Sequence, residues 1–265
     1  MPFPDISPFI IQIGNFGIRW YSMMYLIGFI LAWIYYSFIL LPKGEFPVKK
    51  ENIPDMLFYA FIGLLIGART FYMFFYNLEG LLNNPLSFFE VWNGGLSFHG
   101  GLLGVVTAMY IFAKKNNFSP LYLGDRIILP IPLALFFGRI GNFINGELYG
   151  RVVSPDTFSW CVVFPAGGDV CRYPSQLFEA VGEGLLIFII INIAFWIGLK
   201  KRIGATLGLF FVCYGVIRML LEFTREPDAQ IGFLFQYFSM GQLLSIPLIL
   251  IGLILMFLPA KLRRK

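Results

Sequence analysis

The 265-residue chain is 58% hydrophobic and only 13% charged, with a mean hydropathy of +0.74. A soluble domain carries about a quarter charged residues, so a water-soluble fold is excluded and a polytopic membrane protein is expected. The formal charge of +5 does not point to nucleic acid, because the basic residues fall in short stretches between apolar runs, where they set membrane orientation.

Residues 1–18 are apolar but interrupted by Pro2, Pro4, Pro8, Gly14 and Gly17, and are expected to lie along the membrane interface. The first twenty residues hold one arginine and no basic leader, so the first apolar run reads as an uncleaved span. Seven runs follow, at about 19–41, 54–76, 95–113, 127–145, 176–199, 204–222 and 241–258. Each is close to the ~20 residues that cross a bilayer core. The expected fold is all-α: a bundle of about seven transmembrane helices in one integral-membrane domain spanning 1–265. A polar excursion at 146–175 forms a small head, and no internal repeat is visible.

Loop charges orient the bundle. Lys43, Lys49, Lys50, Lys114, Lys115, Arg126, Lys200, Lys201, Arg202, Lys261, Arg263, Arg264 and Lys265 all fall on one side, and only Arg151, Arg172 and Arg225 on the other. The N-terminus and the head are therefore expected outside, and the C-terminus in the cytoplasm.

That topology places polar groups from six spans at one depth, near the outer headgroup layer. They are Arg19, Arg69, His99, the group Arg139, Asn142 and Asn145, the pair Gln176 and Glu179, and the i, i+4, i+8 series Tyr214, Arg218 and Glu222. The densest stretch is GRIGNFINGELYG, Gly138–Gly150, in which helical spacing puts Arg139, Asn142 and Asn145 on one face. Ionisable groups in lipid mark functional sites by default. A transporter would place them near the midplane of repeated halves, and a passive scaffold would not need six helices to converge.

Guanidinium forks at this depth suit phosphate oxygens, and Arg139 and Arg218 are the candidates. Pairing of Arg218 with Glu222 is the alternative, and it does not exclude function. Arg69 reads as structural. His99, the only histidine, is a candidate general base. No nucleophile motif is visible, so transfer would be direct, to a nucleophile brought by the acceptor. One histidine and three scattered cysteines leave no metal site, and no cofactor is expected. Cys161 and Cys171 share the outside loop and are expected to form a disulfide around Pro165–Gly168, the alternative being two small buried apolar side chains, whereas Cys213 should be inert within span six.

These residues resemble a known family. Gly138–Gly150 is similar to the signature of the bacterial prolipoprotein diacylglyceryl transferases. IRWYSMMYLIGF (Ile18–Phe29, with Tyr25), GGLSFHGG, RYPSQLFEA (Arg172–Ala180) and YGVIRMLLEFTREPDAQ (Tyr214–Gln230) resemble further motifs of that family in order. The family often has histidine where Tyr173 stands. The resemblance implies transfer of the diacylglyceryl group of phosphatidylglycerol to the lipobox cysteine of preprolipoproteins. His99, Arg139 and Arg218 would be catalytic, the arginines holding the phosphate. Tyr25, Asn142, Asn145, Glu147, Gln176, Tyr214 and Glu222 would bind substrate. The partners implied are phosphatidylglycerol, lipobox signal peptides and membrane lipid, with no nucleic acid, for a monomeric multi-pass protein of the bacterial inner membrane whose site faces the outer leaflet.

Overall fold

The computed structural model describes residues 1–13, 16–91, 94–226 and 239–257. The chain forms two compact units, one built from residues up to Tyr35 and from Asp125 onward, the other from Tyr36–Gly124. Each of the seven expected runs is helical over most of its length. Four stretches are long and apolar enough to cross a membrane: Trp20–Leu40, Lys50–Phe75, Ser175–Ile197 and Met240–Phe257. The bent pair Pro120–Ile127 and Ile131–Ile144 would add a fifth. The protein is thus a mostly helical polytopic membrane protein. The one departure from an all-α fold among the described residues' regular elements is a hairpin, β1 (Phe9–Ile13) paired antiparallel with β2 (Phe16–Arg19). It lies where an irregular interfacial segment was expected; the alternation around Gln12 and Gly17 suits strands, and the prolines all precede it.

The first unit opens with α1 (Trp20–Ile34); the second holds α2 (Ile53–Phe75), α3 (Leu78–Asn83), α4 (Phe98–Lys115) and the first residues of α5 (Pro120–Ile127), whose end, from Asp125, returns to the first unit and leads to α6 (Ile131–Ile144). Then come α7 (Ser175–Glu179), a π-helical stretch Ala180–Leu186, α8 (Ile187–Ile197), α9 (Ala205–Leu221) and α10 (Met240–Phe257). Small residues let these helices touch. A Cβ on Gly28 of α1 would lie 2.8 Å from Ala134 Cβ of α6, and one on Gly208 of α9 would lie 2.6 Å from the Gly252 carbonyl of α10. The start of α9 is capped from α5: the Asp125 carboxylate accepts from Gly204 N at 2.6 Å and Leu207 N at 2.8 Å. Arg126 departs from its expected place among the loop cations. It lies on α5, 2% exposed, 3.8 Å from Asp125 and over the Phe195 ring, because a buried capping carboxylate needs a counter-charge. The basic cluster from Lys261 onward lies outside the described residues.

In the second unit, α2 and α4 meet backbone to backbone. Gly63 and Gly67 face Gly100 and Gly104, and a Cβ on Gly104 would lie 2.0 Å from the Gly63 carbonyl oxygen. This is small-xxx-small packing on both helices. Arg69 is 5% exposed and donates to the carbonyls of Ser87, Phe88, Glu90, Gly94 and Gly95. It is structural, as expected: it folds the loop that delivers the chain to α4.

The 146–175 segment is closed by the Cys161–Cys171 disulfide and by backbone pairing of Val162 with Arg172. Phe164, fully buried, packs on the rings of Phe3, Phe143 and Tyr149. Alkylation of the denatured, unreduced protein should therefore add one label, at Cys213, and three after reduction, read by intact mass. Two or three labels before reduction would count against the bridge. Replacing both cysteines with serine should destabilise this segment by about 3 kcal/mol for a loop of this length.

Candidate active site

Three helical elements of the first unit bring their polar residues to one place. Arg139 comes from α6, Glu179 and Glu183 from the end of α7 and the π-helical stretch, and Arg218 and Glu222 from the end of α9. Arg139 Nε lies 3.0 Å from Glu179 Oε2 and its Nη2 3.2 Å from Glu183 Oε2. Arg218 Nη1 is 3.2 Å from both Glu179 Oε1 and Glu183 Oε1, while its Nη2 pairs with Glu222. Arg225 Nη1 reaches Glu179 Oε1 at 3.1 Å. Glu179 and Glu183 are fully buried, and the arginine side chains are between 11% and 19% exposed. Burial of these charges is tolerable only because each has partners of opposite sign.

The sequence around Glu183 explains its position. It stands between Gly182 and Gly184 in AVGEGLL. A Cβ on Gly184 would lie 2.5 Å from Phe136 Cβ of α6, and one on Gly182 would lie 2.9 Å from Ile217 of α9. Two bare backbone positions thus let both neighbouring helices close on the carboxylate between them. The wider π-helical turn, which often accompanies functional sites, keeps Glu183 on the same side as Glu179. Sequence reasoning missed Glu183 and left Arg225 as a loop cation. The available signal was a carboxylate inside a long apolar run.

A second constellation surrounds Glu147. Asn142 Nδ2 donates to Glu147 Oε1 at 2.8 Å, and Asn145 Nδ2 to the same oxygen at 3.4 Å. Gln176 Nε2 donates to the Glu147 backbone carbonyl at 2.6 Å. The turn that follows is held by Ser175 Oγ on the Leu148 carbonyl and by Gly150, where a Cβ would lie 2.4 Å from the Thr224 carbonyl oxygen. Arg151 donates to the carbonyls of Glu222 and Arg225, so it ties this turn to the end of α9.

The expected residues therefore fall into groups. Arg139, Arg218 and Glu222 share one ionic network, and Tyr214 precedes Arg218 by one turn, stacked on Phe210. Asn142, Asn145, Glu147 and Gln176 share the second constellation. Tyr25 and Tyr21 of α1 join hydroxyls at 2.9 Å. His99 belongs to the other unit, exposed in the first turn of α4 beside Phe98, with Ser97 capping that helix through Gly100 N. The choice posed for Arg218 resolves in part: its ion pair with Glu222 is present, and Arg139 is ion-paired as well. Each guanidinium carries five donors, and Arg139 Nη1 and Arg218 Nε take no part in these contacts.

The family model for prolipoprotein diacylglyceryl transferase matches residues 8–258. The chain belongs to this family. Diacylglyceryl transferases similar to it include proteins called phosphatidylglycerol–prolipoprotein diacylglyceryl transferase from three bacteria. That of Azospirillum brasilense is 46% identical over 265 residues, covering 99% of this chain and 97% of its own. That of Rhodospirillum rubrum is 45% identical over 256 residues, 96% and 92% of the two chains. That of Aliivibrio salmonicida is 46% identical over 256 residues, 96% and 88%. Of the motifs that suggested a diacylglyceryl transferase, GGLSFHGG lies in the second unit and the rest in the first. The end of the Tyr214–Gln230 motif lies outside the described residues.

Proposed function

We propose that this enzyme transfers the diacylglyceryl group of phosphatidylglycerol to the thiol of a preprolipoprotein's lipobox cysteine. The carbon–sulfur bond forms as the carbon–oxygen bond to the phosphate breaks. The thiol proton passes to a base, and glycerol phosphate leaves. The observation that carries this reading is the pair Arg139 and Arg218, clasped by shared carboxylates among apolar helices, in a chain of this family.

In this reading, Glu179 and Glu183 hold the two guanidinium planes while Arg139 Nη1 and Arg218 Nε remain to meet the phosphate oxygens. Charge developing on the leaving phosphate is stabilised by donors already in place. His99 accepts the thiol proton or orients the group that does. Tyr25, Asn142, Asn145, Glu147, Gln176, Tyr214 and Glu222 position headgroup and peptide. The chain acts as one integral-membrane domain of seven spans in the inner membrane, N-terminus outside and C-terminus cytoplasmic. Its 146–175 head is external, its site opens to the outer leaflet, and the monomer works without metal or other cofactor.

Purified protein in phosphatidylglycerol vesicles should convert a lipobox peptide to its diacylglyceryl thioether and release glycerol phosphate, with a chelator present throughout. Absence of transfer would overturn the reading. Activity lost to chelator and restored by a divalent ion would overturn its cofactor-free part.

A further inference from the structure

We propose that the side-chain oxygens of Asn145 and Gln176 read the hydroxyl groups of the terminal glycerol of phosphatidylglycerol, making these two amides the determinants of headgroup specificity. This rests on the functional reading above and assigns a part of the lipid to each half of the site.

The orientation of both amides is fixed by what their nitrogens touch. Gln176 Nε2 faces a backbone carbonyl at 2.6 Å, and Asn145 Nδ2 faces a carboxylate oxygen at 3.4 Å. Each partner is an acceptor, so an N–H must point at it, and each amide oxygen must turn away. Those two oxygens, Asn145 Oδ1 and Gln176 Oε1, are buried and accept no hydrogen bond from the described residues. Gln176 is fully buried. Buried acceptors in native proteins are almost always matched by a donor. What complements this pair is a ligand that brings donors.

The surroundings say which ligand. Gln176 precedes Glu179 by three residues, about 4.5 Å along a helix axis, and Glu179 holds both Arg139 and Arg218. A phosphate on the arginines therefore has Gln176 about one helical turn from the carboxylate that holds them, the reach of a glycerol esterified to that phosphate, and Asn145 is tied to the same Glu147 that Gln176 touches. Both amides converge on Glu147, which fixes them relative to each other. A glycerol headgroup offers two hydroxyl donors to two acceptors. An alkyl headgroup offers none and would leave both unmatched.

The test compares phosphatidylglycerol with phosphatidylpropanol, which keeps the phosphate, the charge and the tails but lacks both hydroxyls. Transfer to a lipobox peptide is measured from each lipid as kcat/KM, in wild type, Gln176→Met and Asn145→Leu. Wild type should prefer phosphatidylglycerol by at least roughly a hundredfold, since sites built around a substrate hydroxyl reject analogues lacking it. Each variant should bring the preference below about tenfold, chiefly by losing rate on phosphatidylglycerol. Because the ratio is taken within one protein, partial loss of folding cancels from it. Equal rates on the two lipids in wild type would overturn the proposal without reference to any variant. So would variants that keep the wild-type ratio; a raised KM for the peptide alongside that ratio would give the amides to the peptide instead. Failure of wild type to transfer from either lipid would overturn the functional reading, and the subsite with it.

Discussion

Arg139→Lys and Arg218→Lys should each insert and fold, yet lose about a hundredfold in transfer rate. Lysine keeps the positive charge, so the buried carboxylates retain a counter-ion. It cannot reproduce a planar fork that meets carboxylates on some donors and phosphate on others. The lost contact is one that strengthens as charge builds on the leaving phosphate, worth on the order of 3 kcal/mol. Arg218→Lys should be the more severe, because Arg218 engages Glu179, Glu183 and Glu222 whereas Arg139 engages two carboxylates. The measurement is initial rate with a lipobox peptide, paired with thermal stability in detergent. Near-normal rates in both variants would remove the phosphate clasp from the mechanism. Rates that fall in step with stability would make the arginines structural.

Glu183→Gln should destabilise the protein more than Glu222→Gln. Its two oxygens join Arg139 to Arg218, both at 3.2 Å, with no exposure to water. Glutamine keeps the shape but leaves a guanidinium excess among apolar helices, and breaking such a buried pair costs about 3–5 kcal/mol. A fall of roughly 10 °C in the thermal midpoint is expected for a chain of this size. Glu222→Gln should do less, since Arg218 retains Glu179 and Glu183. A midpoint unchanged in Glu183→Gln would show that the two arginines do not depend on their shared carboxylate.

The helices were legible because apolar runs of membrane-spanning length leave little choice of secondary structure. The motif Gly138–Gly150 was legible because polar residues at helical spacing stand out against such runs. The partners of those residues were not. Arg139 meets Glu183 across 44 positions, and nothing local in either stretch announces the other. The i, i+4 pair of Arg218 and Glu222 could be read from spacing, but its extension to Glu179 and Arg225 depends on how three elements pack. Glu183 lies one helical turn beyond the polar start of its span, and the two glycines beside it gain meaning only once Phe136 and Ile217 lie against them. Pro2, Pro4 and Pro8 mark the segment as irregular, whereas the pairing of Phe9–Ile13 with Phe16–Arg19 begins only after them.

Counted over the described residues, the network holds three arginines and three glutamates, so its formal charge is zero. A lipid phosphodiester brings one negative charge into that balance. Glycerol phosphate, a monoester, carries close to two at neutral pH. If the phosphate of the lipid docks on this network, a formal charge of zero leaves no surplus of positive charge to hold the dianionic product once the bond has broken. A site built from the arginines alone would grip the product harder than the substrate and stall. In the proposed cycle, the carboxylates that offset the arginines would thus also ease release of the product.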